Sequence, residues 1–312
     1  MNDFSTPVLI TIWDRPDYLS KLFEVLGRIK PRNLFLFSDM AEPQNIKSCL
    51  NIEKSRQIVE DSICWESDVK RRYNNYNEGP ARGIFNAISW AFEYTDKLIV
   101  LEHDYIPAIP FFDYCEELLE KYATDERIWL ISGLNHFSGR YNLNADSYFF
   151  SKFASIAGFA TWKRAWQNTD LYMKNWETFK IKNYSFSQMD NIISKSIYCL
   201  YDNFYKKRIQ SNEIFTWDIQ FTFNFLSNSG FGIVPSSNLI KMVGDYGINT
   251  REASIFHFLD TDEEYQIKKH PDFIQANETY DFYYYKHSLK KRNLFYRVVN
   301  RIRKIIRANS IP

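Results

Sequence analysis

Glu102 and Asp104, on either side of His103, follow directly on a buried apolar run and are the residues most suited to chemistry. Carboxylates at such a position cost desolvation energy unless something meets their charge, and a divalent cation is one such partner. Mg²⁺ and Mn²⁺ prefer oxygen donors, and Mg²⁺ is commonly held by one or two carboxylates together with phosphate oxygens. The triplet therefore suits a nucleoside diphosphate. A solvated strand end, with an acid favouring the start of the next helix near Ile109, is the plainer reading of the same spacing.

Other polar residues mark neighbouring turns. Gly79-Pro80-Ala81-Arg82-Gly83 precedes a helical pattern. It is either an ordinary loop entering a helix or a source of backbone N–H groups and the Arg82 guanidinium for phosphate. It matches neither the P-loop nor the dinucleotide fingerprint. Asp14-Arg15 and Asp39 close apolar runs, as surface turn residues or as contacts to a base or ribose. Trp217-Asp218 opens a helix whose Ile219, Phe221, Phe223 and Phe225 read as core. Asp218 is there either a first-turn acid matched to the helix dipole or a catalytic carboxylate. A turn at Gly158 to Trp162, with Trp166, reads as core aromatics or as an apolar platform for a sugar. His136, His257, His270 and His287 fall in no metal-ligand spacing.

The elements that must position these residues follow from hydrophobic period. Val8 to Ile12, Leu34 to Phe37, Leu98 to Leu101 and Ile128 to Ser132 are short, largely apolar strand-like runs. Between them Leu19, Leu22, Phe23 and Leu26, then a polar stretch from about Asn45 to Asp61, then Ile84 to Phe92, then Phe111 to Tyr122 follow helical spacing. Alternation of this kind predicts an α/β fold with a mainly parallel central sheet flanked by helices. Ligands of such sheets bind outside the carboxyl ends of the strands, where strand order reverses. Asp14, Arg15, Asp39, Glu102 and Asp104 share that rim. Later segments read as a strand at Tyr148 to Phe153, a helix from Thr216 to Leu226 and a strand at Gly232 to Pro235. No linker is evident before about Asp260. We therefore expect a catalytic domain over 1–260 and a C-terminal helical extension over 261–312.

An apolar fraction of 45% and a charged fraction of 25% over 312 residues exclude a disordered or collagen-like chain. Cys49, Cys64, Cys115 and Cys199 form no C-x-x-C pair, which predicts buried, reduced thiols rather than zinc or a disulfide framework. The near-neutral total of +1 hides an uneven distribution: Lys286 to Arg307 holds nine basic residues and no acid, leaving 30 basic against 38 acidic groups before it. An acidic body is a poor partner for nucleic acid. In the tail, Leu294, Phe295, Val298, Val299, Ile302, Ile305 and Ile306 form a helical apolar stripe among the basic residues, a pattern that suits an anionic membrane surface or packing on the body. The N-terminus has neither a basic nor an apolar leader region, and no run is long enough to span a membrane. The expectation is a cytoplasmic protein, peripheral on the inner face of the cytoplasmic membrane.

Taken in order, several stretches resemble GT-A fold glycosyltransferases, in particular a bacterial, often hemolysin-labelled group similar to the N-acetylglucosaminyltransferase I family. They are PVLITIWDRPDY (7–18), LFSD (36–39), NEGPARGIFNAISW (77–90), LEHDYIPAIPFFDYCEELLEKY (101–122), ISGLN (131–135), FFSKFASIAGFATWKRAW (149–166) and TWD (216–218). The resemblance implies a nucleotide-sugar donor, UDP-linked by expectation, and Mn²⁺ or Mg²⁺ bound by Asp104. It further implies that Glu102 and His103 lie in the donor site and that Asp218 is the base of an inverting displacement. His103 stands where the family usually has a further acid. Gly244 to Thr250 falls where related enzymes carry a loop closing over the donor. The implied acceptor is a glycan or a lipid-linked sugar of surface polysaccharide synthesis, with Arg15, Asp39 and Arg82 around the nucleotide. Two other classes fit part of the pattern: a catalytically silent sugar- or nucleotide-binding protein of this fold, and a metal-dependent nucleotidyltransferase.

Overall fold

The four apolar runs all enter one eight-stranded sheet, in a computed structural model that describes residues 4–143, 145–182, 184, 186, 189–243 and 259–289. In chain order its first half comprises β1 (Val8–Ile12), α1 (Pro16–Ile29), β2 (Asn33–Ser38), α2 (Ile46–Ser62), β3 (Asp68–Tyr73), α3 (Gly79–Ala91), β4 (Lys97–Glu102), β5 (Tyr105–Pro107), α4 (Pro110–Lys121) and β6 (Ile128–Ser132). The second half adds β7 (Tyr148–Ser151), β8 (Phe159–Trp162), α5 (Lys163–Trp166), α6 (Asn175–Ile181), α7 (Asn191–Phe204), α8 (Asp218–Ser227), β9 (Phe231–Pro235), β10 (Ile240–Met242) and α9 (Glu278–Tyr284).

Strand order is β3-β2-β1-β4-β8-β6-β9-β7, with β5 and β10 forming a separate antiparallel pair. β1 to β4, β6 and β9 run in one direction, whereas β8 and β7 run against their neighbours. The chain steps outward from β1 to β2 and β3, then crosses back to place β4 on the other side of β1. The order reverses between β1 and β4, which is where a crevice opens at the strand ends.

Alternate residues of the apolar strands enter two different cores. Val8, Ile10, Leu34 and Leu36 pack with Leu19, Leu22 and Leu26 of α1 and Phe111 and Leu118 of α4. Leu9, Phe35, Phe37 and Val100 pack with Ala87, Ile88 and Ala91 of α3 and Phe221 of α8. A sheet covered on both faces needs apolar side chains at every position, which explains why these strands read as unbroken runs. A third cluster joins Trp176 and Phe179 of α6, Tyr201 of α7 and Phe223 of α8.

Three features depart from the sequence reading. β3 is an edge strand made of Asp-Val-Lys-Arg-Arg-Tyr, whose Arg71 pairs with Glu60 of α2 at 2.8 Å; charge of this kind protects an edge from pairing with another chain. Gly158 to Trp162 is not a turn but the buried strand β8, with the turn confined to Gly158 at φ +60°. Trp162 and Trp166 are core residues rather than a sugar platform, their indole N–H groups donating to Leu119 O at 3.0 Å and to Ser89 Oγ at 2.9 Å. The four cysteines are free as expected, yet only Cys115 is buried and Cys64 and Cys199 are exposed.

Residues 259–289 lie against the sheet domain. Tyr265 packs edge-on to Tyr114 with ring centroids 5.6 Å apart, Ala276 bridges Phe150 of β7, and Ser151 Oγ donates to Asp281 of α9 at 2.6 Å. Gly244 to Thr250, His257 and the tail stripe from Leu294 to Ile306 lie outside the described residues.

Candidate active site

Register alone aligns the rim. Thr11 sits opposite Glu102 and Ile12 opposite Ser38, so the residues that follow β1, β2 and β4 emerge level with one another. His103 N–H continues the ladder by donating to Thr11 O at 3.0 Å. Asp104 O accepts from Val243 N at 3.0 Å, extending the β5–β10 pairing and fixing the backbone of the triplet on its far side. Two glycines permit this close approach. A Cβ at Gly158 would lie 2.5 Å from Ile240 Cδ1, and one at Gly133 would lie 2.4 Å from Ile240 Cγ1.

The crevice between β1 and β4 gathers charge from three parts of the chain. Glu102, Asp104 and Asp218 interact electrostatically, although α8 follows the triplet by more than a hundred residues. Glu102 retains some solvent access, but burial pushes its carboxyl up to about 8, helped by Asp104 and Asp218, while the Tyr105 hydroxyl donates to it. Burial lowers the pKa of His103, favouring the neutral imidazole, and Asp104, Arg15 and Asp14 are the charges within its reach. Arg15 lies 3.7 Å from Asp14, which also accepts from Ser48 Oγ at 2.8 Å.

Asp218 is held on one side only. Its Oδ1 accepts the Thr216 hydroxyl and, at 2.9 Å, the N–H of Ile219, which leaves Oδ2 as the oxygen without a hydrogen bond among the described residues. Gln220 steadies the approach to α8 by donating to Thr216 O at 2.8 Å and Leu171 O at 3.1 Å. In the sequence Thr216 and Gln220 carry a signal only in flanking Asp218, and Tyr105 only in following the triplet.

Asp39 and Arg82 lie elsewhere on the rim. Asp39 is buried at the end of β2, and its carboxylate accepts the N–H groups of Glu78 and Gly79 at 3.0 Å and Asn74 Nδ2 at 3.2 Å. Burial raises its pKa, although these donors oppose the shift. The N–H groups of Glu78 and Gly79 at the start of α3, part of the loop that could face phosphate, are thus taken by the protein's own carboxylate. Arg82 is exposed one turn into α3 and forms no ion pair among the described residues.

The donor set at the switch point fits a hard divalent cation. Glu102, Asp104 and Asp218 are all oxygen donors whose mutual repulsion a cation would relieve. Among the described residues no three His, Cys, Asp or Glu side chains converge on one point. Such an ion would therefore take most of its ligands from substrate and water. A concavity of about 590 Å³ between α1, α4 and 263–266 includes Arg28, Asp113 and Glu263 in its lining and shares none of these rim residues.

No protein-family model and no curated protein matches the chain. Among solved structures, a mannosyltransferase of Pyrobaculum calidifontis in complex with GDP-mannose and Mn²⁺ aligns at 10% identity and a TM-score of 0.36, over 52% of this chain and 45% of that one. The chain thus spans less than half of that enzyme. A mannose-1-phosphate geranyltransferase of Thermus thermophilus aligns at 10% identity and a TM-score of 0.36, over 77% of this chain and 76% of that one. A UDP-glucose pyrophosphorylase complexed with UDP-glucose aligns at 8% identity and a TM-score of 0.37, over 77% and 93% respectively. Similarity this slight does not reach the level of a reaction or a substrate.

Proposed function

We propose that the chain is a metal-dependent glycosyltransferase of the GT-A type, moving a sugar from a nucleoside diphosphate, UDP by expectation, to an acceptor hydroxyl with inversion. The observation that carries the proposal is that Asp218 of α8 comes within electrostatic reach of Glu102 and its neighbour Asp104 at the end of β4, beside the β1–β4 switch point. This arrangement suits oxygen donors for a diphosphate-bound cation near a separate carboxylate with one oxygen that has no hydrogen bond among the described residues.

Asp104 would hold Mn²⁺ or Mg²⁺, which when bound supplies a Lewis acid to the departing diphosphate. Asp218 Oδ2 removes the proton of the acceptor hydroxyl as that oxygen attacks the anomeric carbon from the face opposite the leaving group. A single carboxylate base is enough for this displacement, unlike the carboxylate pair of a glycosidase. Thr216 and the Ile219 N–H fix the orientation of the Asp218 carboxylate. Arg15, within electrostatic reach of His103, supplies a positive side chain. Asp39 acts on the nucleotide through the shape of the loop it anchors, and Arg82 meets it from α3. The acceptor is a glycan or lipid-linked sugar, presented to a protein whose basic C-terminal residues rest on the inner face of the cytoplasmic membrane.

Calorimetry with nucleotide sugars, with and without Mn²⁺, tests the binding half. Asp104→Ala should abolish the metal-dependent part of the affinity, and retention of that part would remove Asp104 as the ligand. Product analysis tests the other half: release of a nucleoside diphosphate fits glycosyl transfer, whereas pyrophosphate would identify a nucleotidyltransferase.

A further inference from the structure

The connection between α6 and α7 exposes an unusual group of side chains. Ile181 is 79% exposed, Tyr184 53% and Ile192 66%. Isolated surface apolar residues need no explanation, but these three lie next to residues of one buried cluster in sequence or in contact. Tyr184 packs edge-on to Phe179, Phe179 stacks on Phe186 at 5.1 Å, and Ile193, next to Ile192, completes the same cluster.

Basic side chains outnumber free acids around them. Lys182, over the Tyr184 ring at 5.8 Å, and Lys195 are exposed and in no ion pair among the described residues. Of the nearby acids, Glu177 and Asp202 pair with Lys180 and Lys206, and Asp190 caps α7 by accepting from Ile192 N at 2.8 Å.

The path of the chain supplies the third observation. Tyr285 hydroxyl meets Ser196 Oγ at 3.2 Å, one turn of α7 beyond Ile192, and Leu289 packs on the same cluster. The described chain therefore ends beside this group, and the sequence from Lys286 to Arg307 holds nine basic residues and no acid.

We propose that Ile181, Tyr184 and Ile192, with Lys182 and Lys195, form a docking face for an anionic lipid bilayer, continuous with the basic C-terminal residues. Apolar side chains enter the interface while lysines meet lipid phosphates, and the two contributions together give binding that neither supplies alone. The inference extends the membrane reading of the C-terminal residues, and it is independent of the reaction proposed above.

Flotation of the full chain with vesicles of phosphatidylcholine alone, or with roughly one-third phosphatidylglycerol, tests it. The parent should float only with the anionic vesicles, and raised salt should weaken binding. Ile181→Ser with Ile192→Ser should lower affinity for anionic vesicles roughly tenfold, with an unchanged melting temperature because both positions are exposed. Lys182→Glu with Lys195→Glu should also lower it. Parent-like flotation of both double variants would overturn the proposal, leaving the C-terminal residues as the only anchor. Equal binding to both vesicle types, or self-association of the parent that Ile192→Ser abolishes without any vesicle binding, would overturn it too. Nucleotide affinity measured on the same variants separates this failure from failure of the glycosyltransferase reading.

Discussion

Replacing Asp39 separates a contact to nucleotide from a capping role. Asp39→Ala removes an acceptor for Glu78 N–H, Gly79 N–H and Asn74 Nδ2, all at 3.0 to 3.2 Å. Loss of a helix-capping acceptor costs about 0.5–2 kcal/mol, and a buried donor left without a partner about 1–3 kcal/mol. Burial raises the Asp39 pKa, so the deletion also relieves a desolvated charge and recovers part of that cost. The balance is a loss of about 2–3 kcal/mol, equivalent for a chain of this size to roughly 3–5 °C in melting temperature. Asp39→Asn, which keeps one acceptor oxygen but turns an amide towards the second, should lose about half as much. The assay pairs thermal denaturation with calorimetry of a nucleoside diphosphate and Mn²⁺. The capping account expects a lower melting point in both variants and an affinity within about threefold of the parent in Asp39→Asn. An unchanged melting point with affinity reduced tenfold or more would refute it and return Asp39 to the nucleotide.

Asp218→Asn should lower turnover by on the order of a hundredfold or more while donor affinity holds, and near-normal turnover would remove Asp218 as the base. Thr216→Val should lower turnover roughly tenfold with an unchanged donor affinity, because it frees the Asp218 carboxylate without discharging it. Gly158→Ala forces a Cβ to 2.5 Å from Ile240 at a positive φ and should cost about 1–3 kcal/mol; Ile240→Ala in the same chain should recover part of that loss, and strict additivity would refute the clash. Asp281 is buried with its carboxyl pushed up to about 7 from 3.8. The folded state then binds this proton more tightly than the unfolded chain does, so stability should fall as pH rises from about 4 to 7. Asp281→Asn should flatten that slope, and an unchanged pH profile would reject the assignment.

The parallel strands were legible because burial on both faces demands uninterrupted apolar residues, and each such run ended in the polar residues that form the rim. β3 was not, since an edge strand of charged residues carries neither an apolar run nor a clean alternation. α7 was missed although Ile193, Ile197, Tyr201 and Phe204 keep helical spacing, because Tyr198, Cys199 and Leu200 blur its polar face. Glu102, Asp104 and Arg15 could be placed together from strand ends alone. The approach of Asp218 could not, because it depends on how α8 packs across the sheet through Phe221. Nor could the spending of Asp39 on α3, which joins residues 39 positions apart.

The Asp39 contact bears on how a diphosphate would be neutralised at this rim. In many α/β sheets the N-terminus of a helix meets the phosphates with free backbone N–H groups. Here the N–H groups of the N-cap Glu78 and of Gly79 at the start of α3 close on Asp39, Pro80 has no N–H, and α1 opens on Pro16, which also has none, with Asp17 in its first turn. Neither helix start is well arranged for an anion. The carboxylates of the crevice add to the negative charge, and Arg15 is the cationic side chain within electrostatic reach of His103. On the proposed reading a nucleoside diphosphate would therefore depend on a divalent cation to enter the crevice at all. Metal dependence should then be visible in ground-state binding as well as in turnover, and metal-independent binding of the nucleotide at parent affinity would contradict this account of the rim.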